Sequence, residues 1–514
     1  MMKKLYYKFL FIPGILGFLA SNAYSAGKDR HVLMIAPATI THQSVTLLWD
    51  DIDKDVNEYT IFVNGKKVVK SSITNSKLKD LKPLTVYTVR VTGKNRQGRT
   101  ITTSNLLKFT TRKKGKIINI LNYGAKAGGL TLNTAAIQNA VNACEDGGIV
   151  YVPAGDFKTG ALFLKSNMTL YIEKGGRLKG SIDPKDYEPF VYNRFEGWEM
   201  NTFASLINAG TMNKDGRISL ENLSISGLGT ISGGGERLAK AMISRNGMRS
   251  RGRLISLLNC KNVNIEGLKI EESPCWTIHY VYSSKITCQG LTISSFVENG
   301  DGIDPDSSTD SYIFNCKFWT NDDCIAIKSG KNPEGYFIAK PSQNIQITHC
   351  EFVKGHGISI GSEISGGIKN ILVRHCKAGN LIFGLQIKGT KERGGFVEQV
   401  IVRDSELRKI TIFSALPYNN DGAPAPMLPY FKDFEFRDLD MSKADSTGTV
   451  IYIDGFEHKN SYTRNLVFKN IQLPEHAVID VRRSDHIIFQ RVSSVKGIKP
   501  KLKIDSLSAR IAME

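Results

Sequence analysis

Cysteines are scarce in this sequence, and a long apolar run occurs only at its N-terminus. The 8 cysteines among 514 residues are too few for a disulfide scaffold. None belongs to a Cys-x-x-Cys pair or to a Cys/His cluster with zinc-site spacing. After residue 25, no stretch is apolar for long enough to span a bilayer. We therefore expect no bound metal or cofactor, and no membrane association once the N-terminus has been removed.

The first 25 residues have the features of a secretory signal peptide. Three lysines within the first eight residues precede the apolar run Phe9–Ala20, and small residues at Ala23–Ser25 suit a cleavage site. A transmembrane anchor is the weaker alternative, because the run is short and is interrupted by Pro13-Gly14. We expect an exported protein, either secreted or periplasmic.

Acidic residues are outnumbered by basic ones. The sequence has 49 Asp and Glu against 68 Lys and Arg, which gives a formal net charge of +19. Such a surplus attracts polyanions over long range, although solubility alone would also explain it. Nucleic acid is one candidate partner, but export favours an acidic polysaccharide. We expect an acidic glycan partner and no nucleic acid, and the sequence carries no indication of the oligomeric state.

The chain is too long for one ordinary core, which suggests two domains or a small domain attached to a large repetitive one. Strand-like runs between residues 31 and 112 alternate with turns, and Asn64-Gly65 is a strong hairpin signal. Trp49, and Tyr87 in the place of a corner tyrosine, resemble the fibronectin type III pattern. We predict a β-sandwich over residues 31–112, without catalytic residues, and a linker over 113–116.

Residues 117–514 are dominated by short β runs, apart from a helical pattern at Thr134–Cys144. The runs recur at irregular intervals that suit the coils of a parallel β-helix, although barrels and sandwiches also alternate apolar residues. One position in successive runs is apolar or small throughout: Leu268, Leu291, Cys316, Cys350, Cys376 and Ser405. We predict an all-β fold, with a right-handed parallel β-helix after the sandwich. Its cysteines should be buried thiols, with a disulfide ladder as the alternative.

Ionisable residues recur within this coil pattern: Asp301, Asp322, Asp323, His356 and Lys388. Because stacked strands lie about 4.8 Å apart, matching positions on neighbouring coils form one patch. Carboxyl groups one or two coils apart approach the roughly 6.5–9.5 Å of inverting glycoside hydrolysis. The adjacent pair of acids can reach one patch only if the backbone bulges there. Each motif alone is an ordinary turn or surface sequence, but their joint order favours a catalytic site.

Four motifs carry a family resemblance: Asn299-Gly-Asp301, Asp322-Asp323, Gly355-His-Gly357 and Gln386-Ile-Lys388. They resemble the Asn-Thr-Asp, Asp-Asp, Gly-His-Gly and Arg-Ile-Lys motifs of polygalacturonases in glycoside hydrolase family 28. The resemblance runs from about Ile117 to beyond Lys388. It implies a parallel β-helix enzyme that cleaves the α-1,4-galacturonosyl linkages of pectin by inverting acid/base hydrolysis.

The resemblance also implies roles for individual residues. Asp322 would be the general acid that protonates the glycosidic oxygen. Asp301 and Asp323 would position and deprotonate the attacking water, and His356 would hydrogen-bond within the carboxylate set. Lys388 would bind the substrate carboxylate.

The fourth motif departs from the family, because Gln386 stands where the family has Arg. Glutamine lacks the planar bidentate fork that arginine offers a carboxylate. We expect Gln386 in the substrate-binding site, next to a sugar without a carboxylate, such as the rhamnose of rhamnogalacturonan. Alternatively, Arg393 replaces the missing charge. Asp304 is a further candidate for contacts with sugar hydroxyls.

The segments Asn193–Trp198, Arg253–Ile255 and Ser273–His279 resemble bacterial exo-acting members, in which inserted loops close one end of the cleft. Within the last segment, Trp276 would stack on a sugar and His279 would hydrogen-bond it, with burial of Trp276 in the core as the alternative. Two other functions stay open at this point. One is a pectate lyase on the same fold, and the other is a non-catalytic glycan-binding β-helix.

Overall fold

The computed structural model describes residues 32–51, 54–418, 421–445 and 448–514. The predicted signal peptide, residues 1–25, lies outside these ranges. Within them, no helix is both long enough and apolar enough to cross a membrane. The chain divides into two compact units, and the larger one includes Thr111–Glu514. The domain boundaries expected from the sequence stay predictions.

The smaller unit is a β-sandwich with a three-stranded and a five-stranded sheet. Trp49 is 1% exposed, and its ring meets that of Tyr59 edge-on with centroids 5.4 Å apart. Asn64 and Gly65 both have positive φ and connect two antiparallel strands, which confirms the predicted hairpin. The strands are Leu33–Ile35, Val45–Trp49 and Asn75–Leu78 in one sheet, and Glu58–Val63, Lys66–Ser71, Val86–Lys94, Thr100–Thr103 and Leu107–Thr110 in the other.

The larger unit is the predicted parallel β-helix, with two long sheets among the described residues. The first sheet contains Ile117–Asn119, Ile149–Val152, Met168–Ile172, Leu220–Gly227, Cys260–Glu266, Ser284–Gln289, Thr309–Phe314, Ser342–Thr348, Ile368–Arg374, Phe396–Glu406, Tyr430–Asp440, Thr463–Leu473, Ser484–Ser494 and Ala509–Met513. The second contains Gly155–Thr159, Leu162–Leu164, Gly176–Gly180, Ile207–Gly210, Thr230–Ser232, Ile255–Leu258, Lys269–Glu271, Ile278–Val281, Thr292–Ser295, Ile303–Asp306, Lys317–Thr320, Ile325–Ile327, Glu351–Ile360, Lys377–Thr390, Ile410–Ala415, Thr449–Asp454, Val478–Arg482 and Lys501–Ile504.

Few helices accompany these sheets. The predicted helix runs from Thr134 to Asn142 and buries Ile137, Ala140 and Val141 on one face. It ends two residues before the predicted Cys144. The other α-helices are Gly235–Asn246 and Glu334–Ile338, and short 3-10 turns occur at Ile120–Tyr123, Pro184–Tyr187, Met248–Ser250, Lys391–Arg393 and Lys459–Ser461. An antiparallel hairpin, Val191–Phe195 with Trp198–Thr202, is inserted between two coils.

The predicted interior column is confirmed. Its members from Leu268 to Ser405 are at most 6% exposed, and the cysteines among them are free thiols. Burial holds the pKa of the Cys350 thiol well above its usual range, as expected for a small apolar side chain in the core.

Left-handed residues recur five positions apart around short strands, for example at Asn344 and His349, and at Asn370 and His375. Their polar side chains form ladders between coils. Asn370 Nδ2 donates to Asn344 Oδ1 at 2.8 Å, and Asn344 Nδ2 donates to Asp310 Oδ1 at 2.9 Å. Asn and Asp tolerate this backbone conformation. The ladders therefore hold successive coils in register, and the register determines which side chains meet on the surface.

One series of strands in the second sheet carries or adjoins the predicted site residues, and we call its solvent-facing surface the site face. Neighbouring strands of the series pair in parallel, so equivalent residues form columns across it. The series consists of Ile255–Leu258, Ile278–Val281, Ile303–Asp306, Ile325–Ile327, the C-terminal parts of Glu351–Ile360 and Lys377–Thr390, and then Ile410–Ala415, Thr449–Asp454 and Val478–Arg482.

Candidate active site

Three of the predicted site residues occupy equivalent places on successive coils. Asp301, Asp323 and His356 each lie two residues before an isoleucine of the site face. Those isoleucines, Ile303, Ile325 and Ile358, are direct partners in the parallel register. The structure therefore brings together residues that are tens of positions apart in sequence.

The adjacent acids Asp322 and Asp323 reach the same group because they lie in a turn rather than on a strand. The turn separates the strands Lys317–Thr320 and Ile325–Ile327. His356 Nδ1 is 3.1 Å from Asp322 Oδ1 and 3.4 Å from Asp323 Oδ1. On a regular strand, two adjacent side chains would point to opposite faces, and the turn removes this restriction for Asp322 and Asp323.

The glycines on both sides of His356 are required by close backbone approach. Gly355 has φ 132° and Gly357 has φ 99°. A Cβ at Gly355 would lie 2.2 Å from Thr320 Oγ1, and one at Gly357 would lie 2.2 Å from Gly384 O. A side chain at either position would therefore force the neighbouring atoms of the site to shift.

The carboxyl groups of the site have very different proton affinities. Burial raises the pKa of Asp323, but the charge of Lys388 and a hydrogen bond from His356 lower it to about 2. Burial and the negative charges of Asp304 and Asp322 hold the pKa of Asp301 well above its usual range. Burial also raises the pKa of Asp304 to about 7. The site thus combines a firmly ionised carboxylate with carboxyl groups that retain a proton more readily.

His356 is positively charged at neutral pH. Its hydrogen bonds with Asp322 and Asp323 raise its pKa to about 9. These three residues form one group that could hold a metal ion, since their candidate ligand atoms all lie within 4.8 Å. A metal ion bound here would have to displace the proton that the two carboxylates stabilise on the imidazole.

Lys328 is a site residue that sequence reasoning missed. Its Nζ lies 3.5 Å from Asp301 Oδ2 and 3.6 Å from Asp304 Oδ1, and the side chain is 6% exposed. Lys328 follows Ile325 by three positions, just as Lys388 follows Leu385, and both of those residues belong to the same register column. The position of Lys328, three residues after a member of this register column, is the sequence signal that could have identified it.

Three predicted sugar contacts are corrected by burial. Asp304 is 0% exposed, and its Oδ1 lies 3.6 Å from Lys328 Nζ. Trp276 is 2% exposed and stacks on Phe195 with ring centroids 5.2 Å apart. His279 is 0% exposed, its Nε2 lies 3.5 Å from Asp306 Oδ2, and burial lowers its pKa to about 4. Neither ring presents a surface to a sugar, because the inserted hairpin at Val191–Thr202 packs over this part of the site face.

Buried ion pairs fasten this hairpin. Arg194 Nη1 lies 2.6 Å from Asp306 Oδ1, and its Nη2 lies 2.9 Å from Glu199 Oε1. The hairpin turns at Glu196-Gly197, where both residues have positive φ, and a Cβ at Gly197 would lie 2.3 Å from Lys331 Cβ. The sequence analysis of Asn193–Trp198 predicted neither the hairpin nor its charged network.

The residues around the fourth motif also occupy defined places. Gln386 is 4% exposed and lies between Ser359 and Thr411 in the register, and its Nε2 has no hydrogen-bond partner among the described residues. Arg393 is 0% exposed and pairs with Asp421 at 2.9 Å. The guanidinium of Arg393 is therefore engaged by an acid of the protein itself, which contradicts its expected role as a replacement charge.

The fold and these motifs define a family. The family model "Glycosyl hydrolases family 28" matches residues 191–478, and the chain belongs to this family. The protein is therefore a glycoside hydrolase. A fibronectin type III model matches residues 35–110, and a model described as "Rhamnogalacturonase A/epimerase, pectate lyase-like" matches residues 117–171.

The names of individual relatives describe a narrower activity than the name of the family does. The chain is 28% identical to an exo-poly-alpha-D-galacturonosidase of Dickeya chrysanthemi over 88% of each chain. It is similar in structure to the family 28 exopolygalacturonase of Yersinia enterocolitica, with a TM-score of 0.86, 25% identity and coverage of 94% of this chain and 99% of that one. The exopolygalacturonase of Thermotoga maritima matches with a TM-score of 0.61 and 27% identity over 78% of this chain and 92% of that one.

Proposed function

We propose that this protein is an exo-acting polygalacturonase that releases galacturonate from the end of a pectic chain. The observation that carries the proposal is the placement of both Asp322 and Asp323 within 3.4 Å of the His356 imidazole, one coil from Asp301. Lysines 328 and 388 next to these acids suit a substrate that carries a carboxylate on its sugars. The named relatives support this substrate class.

The proposed chemistry is inverting hydrolysis. Asp322, with a side chain that is 31% exposed, donates a proton to the glycosidic oxygen. Asp323 stays ionised, because Lys388 and His356 stabilise its negative charge, and it accepts the proton of the attacking water. Asp301 positions that water, and Lys388 binds the carboxylate of the sugar next to the cleaved bond.

Exo action is supported by the hairpin Val191–Thr202. It covers the strands that precede Ile303–Asp306, so that a chain has no open path over Trp276 and His279. An endo-acting enzyme needs a cleft that is open at both ends. A covered end instead suits recognition of a terminal sugar.

A second substrate is favoured by Gln386. An amide in place of a guanidinium weakens recognition of a carboxylate, which suits an adjoining rhamnose. The alternative is therefore a galacturonohydrolase that acts on rhamnogalacturonan oligosaccharides.

Product analysis tests both candidates. Polygalacturonate and rhamnogalacturonan oligosaccharides are incubated separately with the purified enzyme, and the products are separated by size. Free galacturonate as the first product from polygalacturonate supports the first candidate, and release from rhamnogalacturonan alone supports the second. A ladder of oligogalacturonides would refute exo action. Unsaturated products that absorb in the ultraviolet would instead indicate a lyase.

We also propose that the protein is exported, on the basis of the N-terminal pattern of residues 1–25. Expression of the full chain in a bacterial host, followed by N-terminal sequencing of the exported protein, tests this. A mature N-terminus directly after residue 25 is expected, and retention of the uncleaved chain in the cytoplasm would refute it.

A further inference from the structure

The site face continues beyond Lys388 as an uncovered surface. In the parallel register, Lys388 pairs with Phe413, Phe413 with Asp454, and Asp454 with Arg482. The neighbouring column brings Tyr452 next to Thr411 and Gln386. Three strands therefore extend the face by roughly 14 Å, at about 4.8 Å for each coil.

The side chains in these columns point out of the β-helix. The alternate residues Ile412, Ile453 and Val481 are 0% exposed in the interior, so Phe413, Asp454 and Arg482 must face outwards. Phe413 and Tyr452 are partly exposed, and the side chain of Arg482 is 50% exposed. This is the only direction along the site face, among the described residues, in which we find exposed aromatic and basic groups together.

These groups form a continuous platform. The rings of Phe413 and Tyr452 have centroids 6.4 Å apart, and the Arg482 guanidinium lies 5.7 Å from the centre of the Tyr452 ring. Asp480 accepts two hydrogen bonds from Arg482, at 3.0 and 2.8 Å, which holds the guanidinium against the ring. Aromatic faces suit the apolar faces of sugar rings, and a guanidinium suits a sugar carboxylate.

Charge complementarity indicates the occupant. Asp454 is paired with Arg483 at 2.7 Å, and Asp480 is paired with Arg482, so both acids of the platform are neutralised by the protein. Lys501 and Lys503 follow on the next strand as exposed cations. The surface is therefore basic overall and continuous with Lys388.

We propose that Phe413, Tyr452 and Arg482 form a binding platform for the part of an acidic polysaccharide chain that extends from the catalytic site on the side of Lys388. The inference rests on the proposed function. Since the hairpin covers the opposite end of the site face, a bound chain can continue only over the later coils. The platform increases the rate on long chains, and does not affect the shortest substrate.

A chain-length series tests this proposal. The variant Phe413→Ala/Tyr452→Ala/Arg482→Ala is compared with wild type on galacturonate oligosaccharides from the dimer to the hexamer. A matched control removes Phe396, Tyr430 and Arg510 from the other sheet, where Phe396 stacks on Tyr430 at 5.6 Å and Arg510 pairs with Asp485. The single variant Arg482→Gln and the thermal midpoints of all proteins separate binding effects from misfolding.

We expect kcat/KM of wild type to rise with chain length. The platform variant should lose about tenfold on the hexamer and less than about twofold on the dimer, while the control keeps the wild-type profile. Arg482→Gln should lose part of the length dependence with an unchanged thermal midpoint. An equal loss on all lengths, or an unchanged profile, would overturn the platform while leaving the proposed function intact.

A binding measurement separates the two hypotheses. If wild type cleaves no galacturonate oligomer, the proposed function fails, and retardation of the same proteins in gels that contain polygalacturonate still reports on the platform. Stronger retardation of wild type than of the platform variant supports it, and equal retardation overturns it.

Discussion

The two ends of the site face have the same strand register and opposite surfaces. Before the coils of the candidate active site, Ser256 and His279 are at most 1% exposed under the inserted hairpin. After them, Phe413 and Tyr452 are partly exposed, and half of the Arg482 side chain is accessible. The coil itself is the same at both ends, so insertions between coils, and not the coil geometry, decide where a substrate can bind.

The ion pairs at the two ends differ in the same way. At the covered end, Arg194, Asp306 and Glu199 are at most 1% exposed. At the open end, the side chain of Arg482 is 50% exposed, and that of its partner Asp480 is 10% exposed. A buried pair fixes a lid because leaving either charge without its partner is costly, whereas a half-exposed guanidinium is screened by solvent and contributes less to stability.

The largest effect is expected for substitution of Asp322, which lies between the covered end and the open end of the site face. Asp322→Asn cannot donate a proton to the leaving group, so kcat should fall by about 10²–10⁴ while binding of polygalacturonate is kept. Asp215→Asn, an exposed acid paired with Arg217, is the control and should have wild-type activity. Unchanged kcat in Asp322→Asn would exclude this residue as the acid.

Breaking the covered end should mainly reduce stability. Arg194→Ala removes the guanidinium that neutralises the buried Asp306 and Glu199, which should lower the free energy of unfolding by about 3–5 kcal/mol. Arg482→Ala removes a guanidinium that is half exposed and therefore screened by solvent, and it should cost about 0–1 kcal/mol. Denaturant unfolding measures both, and equal losses would refute the contrast between a fastened and an open end.

The charge on His356 predicts a pH-dependent contribution to stability. Its folded pKa of about 9 lies above the ordinary 6.5, so the contribution is complete below pH 6.5 and is lost as pH rises through 9. The thermal midpoint of His356→Gln should therefore lie below that of wild type at pH 6, and the difference should shrink towards pH 9.5.

The exposed His476 provides the control for this measurement. His476→Gln should show no such trend over the same pH range. A deficit in His356→Gln that is independent of pH would indicate lost packing rather than lost charge.

The smallest effect is expected for substitutions of Gln386, which we propose lies beside the sugar next to the cleaved bond. Gln386→Arg restores a bidentate group next to Lys388 and should lower KM for galacturonate oligosaccharides by about fivefold, or ~1 kcal/mol. Gln386→Glu keeps the size of the glutamine side chain but introduces a negative charge, so it should raise KM for the same substrates. Identical KM values in both variants would show that this position does not contact a carboxylate.

Residues of the candidate site could be predicted from the sequence where they belong to a family motif. Asp301, Asp322, Asp323 and His356 stand in short patterns whose order is specific, and the structure brings them together. Lys328 has no such motif, and only its register with Lys388 indicates that it belongs to the same surface. For Trp276, the alternative of core burial is the one that the structure has, and the sequence left both open because an aromatic residue near a site is equally compatible with a sugar contact and with core packing.

The sequence by itself determined the interior column, because a position that is apolar or small in each successive β run is a local property of each coil. It also determined which ionisable side chains stand on the coils of the candidate active site. Only the tertiary structure decided which of those groups are accessible. The pairing of Arg194 with Asp306 joins residues 112 positions apart, and it buries one end of the site face while the other stays open. Burial depends on such distant contacts, which no local pattern encodes.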